Sequence, residues 1–291
     1  MDVEEAEYLF EEALTLSEEG KEDEALKKYL QAAALGYQNP SCYYNIGLIY
    51  KYRNKWEESF RYNKIAYEFD PDEEAYRWNY AIAATALRDW ASARNAWADN
   101  GIKLEGDIGP IEMDFGNTPV RLNPDDEAEV VWASRIDPVR AKITSIPMPE
   151  SGYHFGDIVL HDGASTGARV VDEIEYPVFN VLELFERSEY LTFVAEVEIK
   201  DQDIHEKLLE RLWQDNIVHE DWTESFRVLC KSCSEGIPHE HDNEDHIETV
   251  KAWNSLHDIA IATLNVDESE EKLEHAINVV GARLKEVYQA V

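Results

Sequence analysis

NPSCYYNIGLIYKYRNKWEESFRYNKIAYEFDP, residues 39–71, holds the pattern that decides the fold of the N-terminal third of this chain. Asn39-Pro40 opens the stretch and Pro71 closes it, because a residue without a backbone N–H cannot continue a helix. Between them stand two small residues, Gly47 and Ser59, and each belongs to a series. Ala13, Gly47 and Ala81 are each 34 apart, and so are Ala25, Ser59 and Ala93. Ala32 and Ala66 keep the same register, and Asn100 breaks it. Two antiparallel helices approach closely only where the facing positions are small. Large residues then fill the seams: Leu9 and Tyr43 on the first helices, Leu16 and Tyr50 further along them, Tyr29 and Trp97 on the second helices.

A period of 34 residues in helical hairpins is that of the tetratricopeptide repeat, and residues 4–102 resemble that family. Asn63 stands where the family usually has an aromatic, and the third repeat lacks its closing proline. The resemblance implies a concave groove, lined by the first helices, that holds a peptide or a neighbouring domain. Tyr44, Asn45, Lys51, Arg77 and Tyr80 are the candidate groove residues, although a tyrosine also serves as a seam residue. Beyond the repeats the chain resembles bacterial repeat proteins with an appended β domain and a Cys-x-x-Cys/His segment, on the runs 155–163 and 229–241.

At Gly106 the period changes from helical to alternating, and Gly and Pro become frequent. Runs rich in Val, Ile, Thr and aromatics predict strands at 130–136, 139–146, 155–161, 168–171, 176–184 and 191–199, separated by turn dipeptides such as Asp137-Pro138 and Asp162-Gly163. Short connections without a helix favour an antiparallel sandwich or barrel. From 201 onward a helical period returns. Helices are predicted near 204–212, at 245–264 and at 269–287, the last on the spacing of Leu273, Ile277, Val280, Leu284 and Val287. The expected architecture is therefore a multidomain α + β chain: a repeat array over 1–105, an all-β domain over 106–200 and a helical domain over 201–291.

Two segments concentrate chemistry. GYHFGDIVLHDG, residues 152–163, crowds Asp157, His161 and Asp162 onto one strand and its exit turn. The carboxylates and imidazole could move a proton or hold a metal, or they could simply bind backbone amides in the turn. CKSCSEGIPHEH, residues 230–241, is the sharper signal. Cys230 and Cys233 can place two thiolates on one side of a tight turn that Gly236 permits. His239 and His241 follow, with His246 beyond them. Four ligands of this type suit tetrahedral zinc in a closed, structural site. A redox dithiol and a solvated acidic loop are the alternatives. No phosphate loop, dinucleotide fingerprint or nucleophile elbow is present in the sequence.

Acidic residues number 61 against 27 basic. The excess is uniform: net −9 over 1–105 (21 against 12), −12 over 106–200 (19 against 7) and −13 over 201–291 (21 against 8). Such a surface repels nucleic-acid phosphate and attracts basic proteins, or it serves solubility. There is no apolar run of membrane-spanning length and no leader-like N-terminus, so cytoplasmic placement is expected. The functional expectation is a protein-interaction protein with a protein partner, for which the acidic surface suits a basic one. An immunity-type or antitoxin-type inhibitor is one form of it, and a zinc-dependent hydrolase with its site in the C-terminal loop or the β domain is the alternative.

Overall fold

The computed structural model describes residues 3–126, 128–171, 173–223 and 253–290. The chain divides into two compact units, Met1–Asp114 with Ile136–Val139, and Phe115–Arg135 with Arg140–Val291.

The first unit is built from three helical hairpins: α1 (Val3–Glu18) with α2 (Glu22–Ala34), α3 (Pro40–Tyr52) with α4 (Trp56–Phe69), and α5 (Glu74–Ala86) with α6 (Trp90–Asp99). The periodic small residues sit where they were expected. Ala13, Ala25, Ala32, Ala66, Ala81 and Ala93 are completely buried. At Gly47 the approach of α4 is so close that a Cβ would lie 2.5 Å from Asn63 Nδ2. That contact explains why residue 63 is not aromatic: beside glycine there is room for an amide only. Ser59 Oγ donates to Gly47 O at 2.9 Å and Asn63 Nδ2 donates to Ser59 O at 2.9 Å, while Asn63 Oδ1 is buried without a hydrogen-bond partner. Aromatic pairs close the wider seams, with Trp78 edge-on to Trp97 at 4.8 Å and Tyr50 stacked on Tyr62 at 6.0 Å. Asn39 caps α3 by accepting from Ser41 N at 3.0 Å.

The unit does not stop at residue 105, where composition changes. The Arg94 guanidinium donates to four carbonyls, Glu105 O at 3.0 Å, Gly106 O at 2.8 Å, Gly109 O at 2.8 Å and Pro110 O at 2.9 Å. This single side chain folds 105–110 back onto α6, and Ile111 follows it into the core.

The second unit holds two sheets. β1 (Asn117–Leu122), β2 (Glu129–Arg135), β3 (Arg140–Ile143), β4 (Ile158–Val171) and β5 (Ile174–Glu186) form a closed barrel. Neighbouring strands of this meander alternate in direction, so the first and fifth run the same way and closure is parallel, at Val120↔Phe179 and Arg121↔Asn180. Val120, Leu122, Val131, Ala133, Ala141, Ile143, Val159 and Val181 fill it. β1 was missing from the sequence reading because Pro119 and its flanks look like linker. The parallel ladder spans only two residue pairs and excludes Pro119, so its missing N–H leaves no gap there.

The second sheet corrects the helical reading of the C-terminal part. Its elements run β6 (Leu191–Glu198), α7 (Gln202–Gln214), β7 (Val218–Asp221), β8 (Leu256–Thr263), α8 (Val266–Val280) and β9 (Arg283–Gln289), and the strand order is β7-β8-β6-β9 with antiparallel neighbours. This is the β-α-β-β-α-β, ferredoxin-like arrangement. The strand at 191–198 is thus a central strand of the second sheet and not the last strand of the barrel, and a boundary at 200 would cut through the module. Residues 256–263 were read as helix because they do not alternate. The sheet is covered on both sides at this strand: Ile259 and Ile261 meet the helices, while Ala260 and Ala262 pack with Ile146 of the barrel-side segment. The predicted last helix also breaks. Gly281, at φ +79°, caps α8, and Ala282 N donates back to Ile277 O at 3.1 Å. Leu284 and Val287 imitate helical spacing because of a bulge: pairing shifts between Glu196 and Val197, which puts both residues on the helix side of β9.

Candidate functional site

Of the five predicted groove residues, four are held by contacts within the array and one lines a concavity. Tyr80 is buried between Phe60, at 5.1 Å, and Tyr67, at 5.4 Å between ring centroids. Tyr44 packs on Tyr76 at 5.0 Å. Arg77 donates to Asn100 Oδ1 at 3.3 Å and to Pro71 O at 2.7 Å, holding the end of the second repeat. Lys51 is buried with its ammonium 4.5 Å from the Tyr52 ring.

Asn45 is different, because it lines a concavity. A pocket of about 260 Å³ opens between α1, α2 and α3, lined by Leu14, Ser17, Glu18, Glu22, Tyr29, Asn45, Leu48, Ile49 and Tyr52. Its floor is apolar: Leu14, Leu48 and Ile49. Its polar atoms are organised by Tyr29, whose hydroxyl accepts from Asn45 Nδ2 at 3.1 Å and meets Ser17 Oγ at 3.4 Å. Burial, only partly offset by these two hydrogen bonds, raises the Tyr29 phenol, so it stays neutral. Glu18 and Glu22 stand on the rim. Arg53, half-buried, reaches Asp23 at 2.8 Å and Glu22 at 3.6 Å.

The 152–163 stretch is a structural knot. Asp157 is fully buried, and its carboxylate accepts from His154 N at 2.8 Å, Ser188 N at 2.7 Å and Arg187 Nη1 at 2.8 Å. Asp162 Oδ1 accepts from Gly163 N at 2.7 Å. His161 Nδ1 donates to Asp162 O at 2.7 Å, which leaves Nε2 as a buried lone pair. Burial pushes the His161 imidazole down to about 4. It is a neutral core residue whose ring lies tilted against Phe179, 5.0 Å between centroids.

Cys230, Cys233, His239, His241 and His246 lie outside the described residues. Cys42 is fully buried; its thiol donates to Tyr29 O at 3.5 Å and is pushed up to about 12 by burial.

Among the described residues one cluster has metal-type ligands close together: His205, Asp221 and His257, all buried, with ligand atoms within 4.8 Å of one another. They come from the inner face of α7, the end of β7 and the start of β8. Sequence reasoning missed them because each is alone in its element. The legible signal was polarity on an apolar face: His205 precedes the buried Leu208 and Leu212 by a helical spacing, and His257 shares a strand face with Ile259 and Ile261.

No family model matches the sequence, and no curated protein matches it significantly. Solved structures similar to this chain include the second TPR of Spaghetti (RPAP3) bound to the HSP90 peptide SRMEEVD, at 19% identity over 34% of this chain and 85% of that one, TM-score 0.31. The first TPR of the same protein, bound to the same peptide, matches at 20% identity over 34% and 79%, TM-score 0.31. Naa15/Naa10 bound to HypK-THB matches at 20% identity over 33% and 14%, TM-score 0.30. No described helix is long and apolar enough to cross a membrane.

Proposed function

We propose that this is a protein-interaction protein, and that its helical array receives a basic segment of a protein partner in the pocket between α1 and α3. The observation that carries the reading is the lining of that pocket: an apolar floor of Leu14, Leu48 and Ile49 under a rim that bears Glu18 and Glu22. Such a site takes one apolar side chain flanked by lysine or arginine. The surrounding array has net charge −9 over residues 1–105, which speeds the approach of a cationic partner. An immunity-type or antitoxin-type protein that covers a basic target is one form this role takes. For the hydrolase alternative, the β-domain carboxylates of Asp157 and Asp162 are occupied by backbone amides, while the C-terminal loop lies outside the described residues.

The test is a library of short peptides with an apolar residue between basic ones, measured against acidic and scrambled counterparts. Basic peptides should bind, Leu48→Glu should weaken them at least tenfold, and association should slow steeply between low and physiological salt. Equal binding of acidic peptides, or indifference to Leu48→Glu, would refute the pocket.

A further inference from the structure

The His205–Asp221–His257 cluster lies in the second unit, is independent of the groove, and has no part in the reading above. Its hydrogen-bond bookkeeping is incomplete without a cation. His257 Nε2 is 2.8 Å from Asn254 O, and a carbonyl can only accept, so Nε2 carries the hydrogen. His257 Nδ1 then faces Asp221 Oδ2 at 2.7 Å. In a neutral ring this places two lone pairs against each other. Either a second ring proton or a metal ion has to occupy that line. His205 Nε2 approaches the same oxygen at 2.8 Å, and the two imidazoles lie nearly parallel, 4.8 Å apart at 29°. Two nitrogens from two elements therefore converge on one buried carboxylate oxygen.

The surroundings hold all three ligands in place. Asp221 Oδ1 accepts from Thr223 N at 2.8 Å, which turns Oδ2 towards the histidines. Thr223 Oγ1 in turn accepts from Asp258 N at 2.7 Å. The Trp253 indole donates to Ile199 O at 2.8 Å and covers the rings, 5.0 Å from His257 and 5.8 Å from His205. A ligating histidine whose other nitrogen donates to a backbone carbonyl is the usual outer-shell arrangement of a metal site.

We propose that His205 Nε2, Asp221 Oδ2 and His257 Nδ1 bind a divalent transition-metal cation of the zinc class. Two imidazoles and a carboxylate suit such an ion. Ligand distances of about 2.0–2.2 Å require the three atoms to spread by roughly half an ångström as the ion enters. Loading ties α7 to the β7 and β8 ends of the sheet.

The experiment uses the full-length protein purified without a histidine tag, stripped with chelator and titrated with Co²⁺ and then Zn²⁺. One equivalent should give a visible ligand-field band that zinc displaces. Asp221→Asn and His205→Gln should each weaken binding by more than the ~10–100-fold that loss of an outer-shell partner costs. The double variant Cys230→Ser/Cys233→Ser separates this site from the cysteine segment, and it should keep the band. Nitrogen chemical shifts of the imidazoles in the parent protein provide a second readout that does not depend on variants folding. On zinc addition His257 Nδ1 and His205 Nε2 should move to metal-bound values, with His257 Nε2 still protonated. Binding that vanishes only with the cysteines, or imidazole shifts unchanged by zinc, would overturn the proposal and leave a protonated His257 paired with Asp221.

Discussion

Asn63 in the helical array donates to Ser59 O, one turn behind it in the same helix. Asp157 in the second unit instead accepts from Ser188 N, 31 residues away in sequence. The contrast repeats through both regions. In the array, Asn79 donates to Ala75 O at 3.0 Å and Thr85 to Ala81 O at 2.8 Å, both to the residue four positions earlier. In the second unit, Glu220 accepts from Ile146 N across 74 positions, and His257 reaches Asp221 across 36. The array is a sum of local pieces, each contacting its neighbours, so its polar links stay within a helix or reach a neighbouring one, as from Ser59 to Gly47 and from Asn45 to Tyr29. The second unit is knitted by links between distant segments, so losing one polar hub there should be felt more widely.

The largest test of that difference is Asp157→Ala. It removes the acceptor of two backbone amides and the Arg187 guanidinium. Each stranded buried donor costs about 1–3 kcal/mol, so the second unit should lose on the order of 3 kcal/mol. Hydrogen exchange read by mass spectrometry should show faster opening across 143–190 and unchanged protection in the hairpins. Uniform loss through the array would break the comparison.

Acid provides the next effect. His161 titrates near 6.5 when unfolded and at about 4 when folded, because burial disfavours its charged form. Between those values the unfolded chain binds more protons. The stabilisation is therefore complete above pH 6.5 and is lost as pH falls towards 4. At about 1.36 kcal/mol per unit, the second unit should weaken by roughly 2–3 kcal/mol over that window. His161→Phe should flatten this part of the pH profile of denaturant melts; an unchanged slope would assign it to other groups.

The smallest effect sharpens the array side. Gly47→Ala puts a methyl 2.5 Å from Asn63 Nδ2, an overpacking that costs about 1–3 kcal/mol. Adding Asn63→Ala should recover part of the loss, since the clash is between those two residues. A double variant no better than the single one would mean the helix backbones, not the side chains, set the spacing.

How far the sequence could be read follows the same division. Ala13, Gly47 and Ala81 announce the array because helix contact selects small residues at a fixed interval. Barrel strands were legible at 130–136 and 176–184, where β-branched and aromatic residues cluster between turns. β8 was not, because Ala260 and Ala262 are apolar on the second covered face and erase the alternation. β9 was misread because its bulge gives Leu284 and Val287 a helical interval. Asn45 belongs to the pocket, but Leu14, Tyr29 and Leu48 became its partners only once α1, α2 and α3 were packed. The His–Asp–His cluster had no local spacing to show, since its members meet across α7, β7 and β8.

The Arg94 guanidinium sets where the array can be cut. A fragment ending at residue 105 would keep one of the four carbonyls that this buried cation binds and would also remove Ile111 from its core. A fragment ending after Asp114 keeps all four. The repeat period ends near residue 100, but the compact unit runs on to Asp114 and takes in Ile136–Val139, so an excision for peptide-binding work has to keep at least the loop that Arg94 holds.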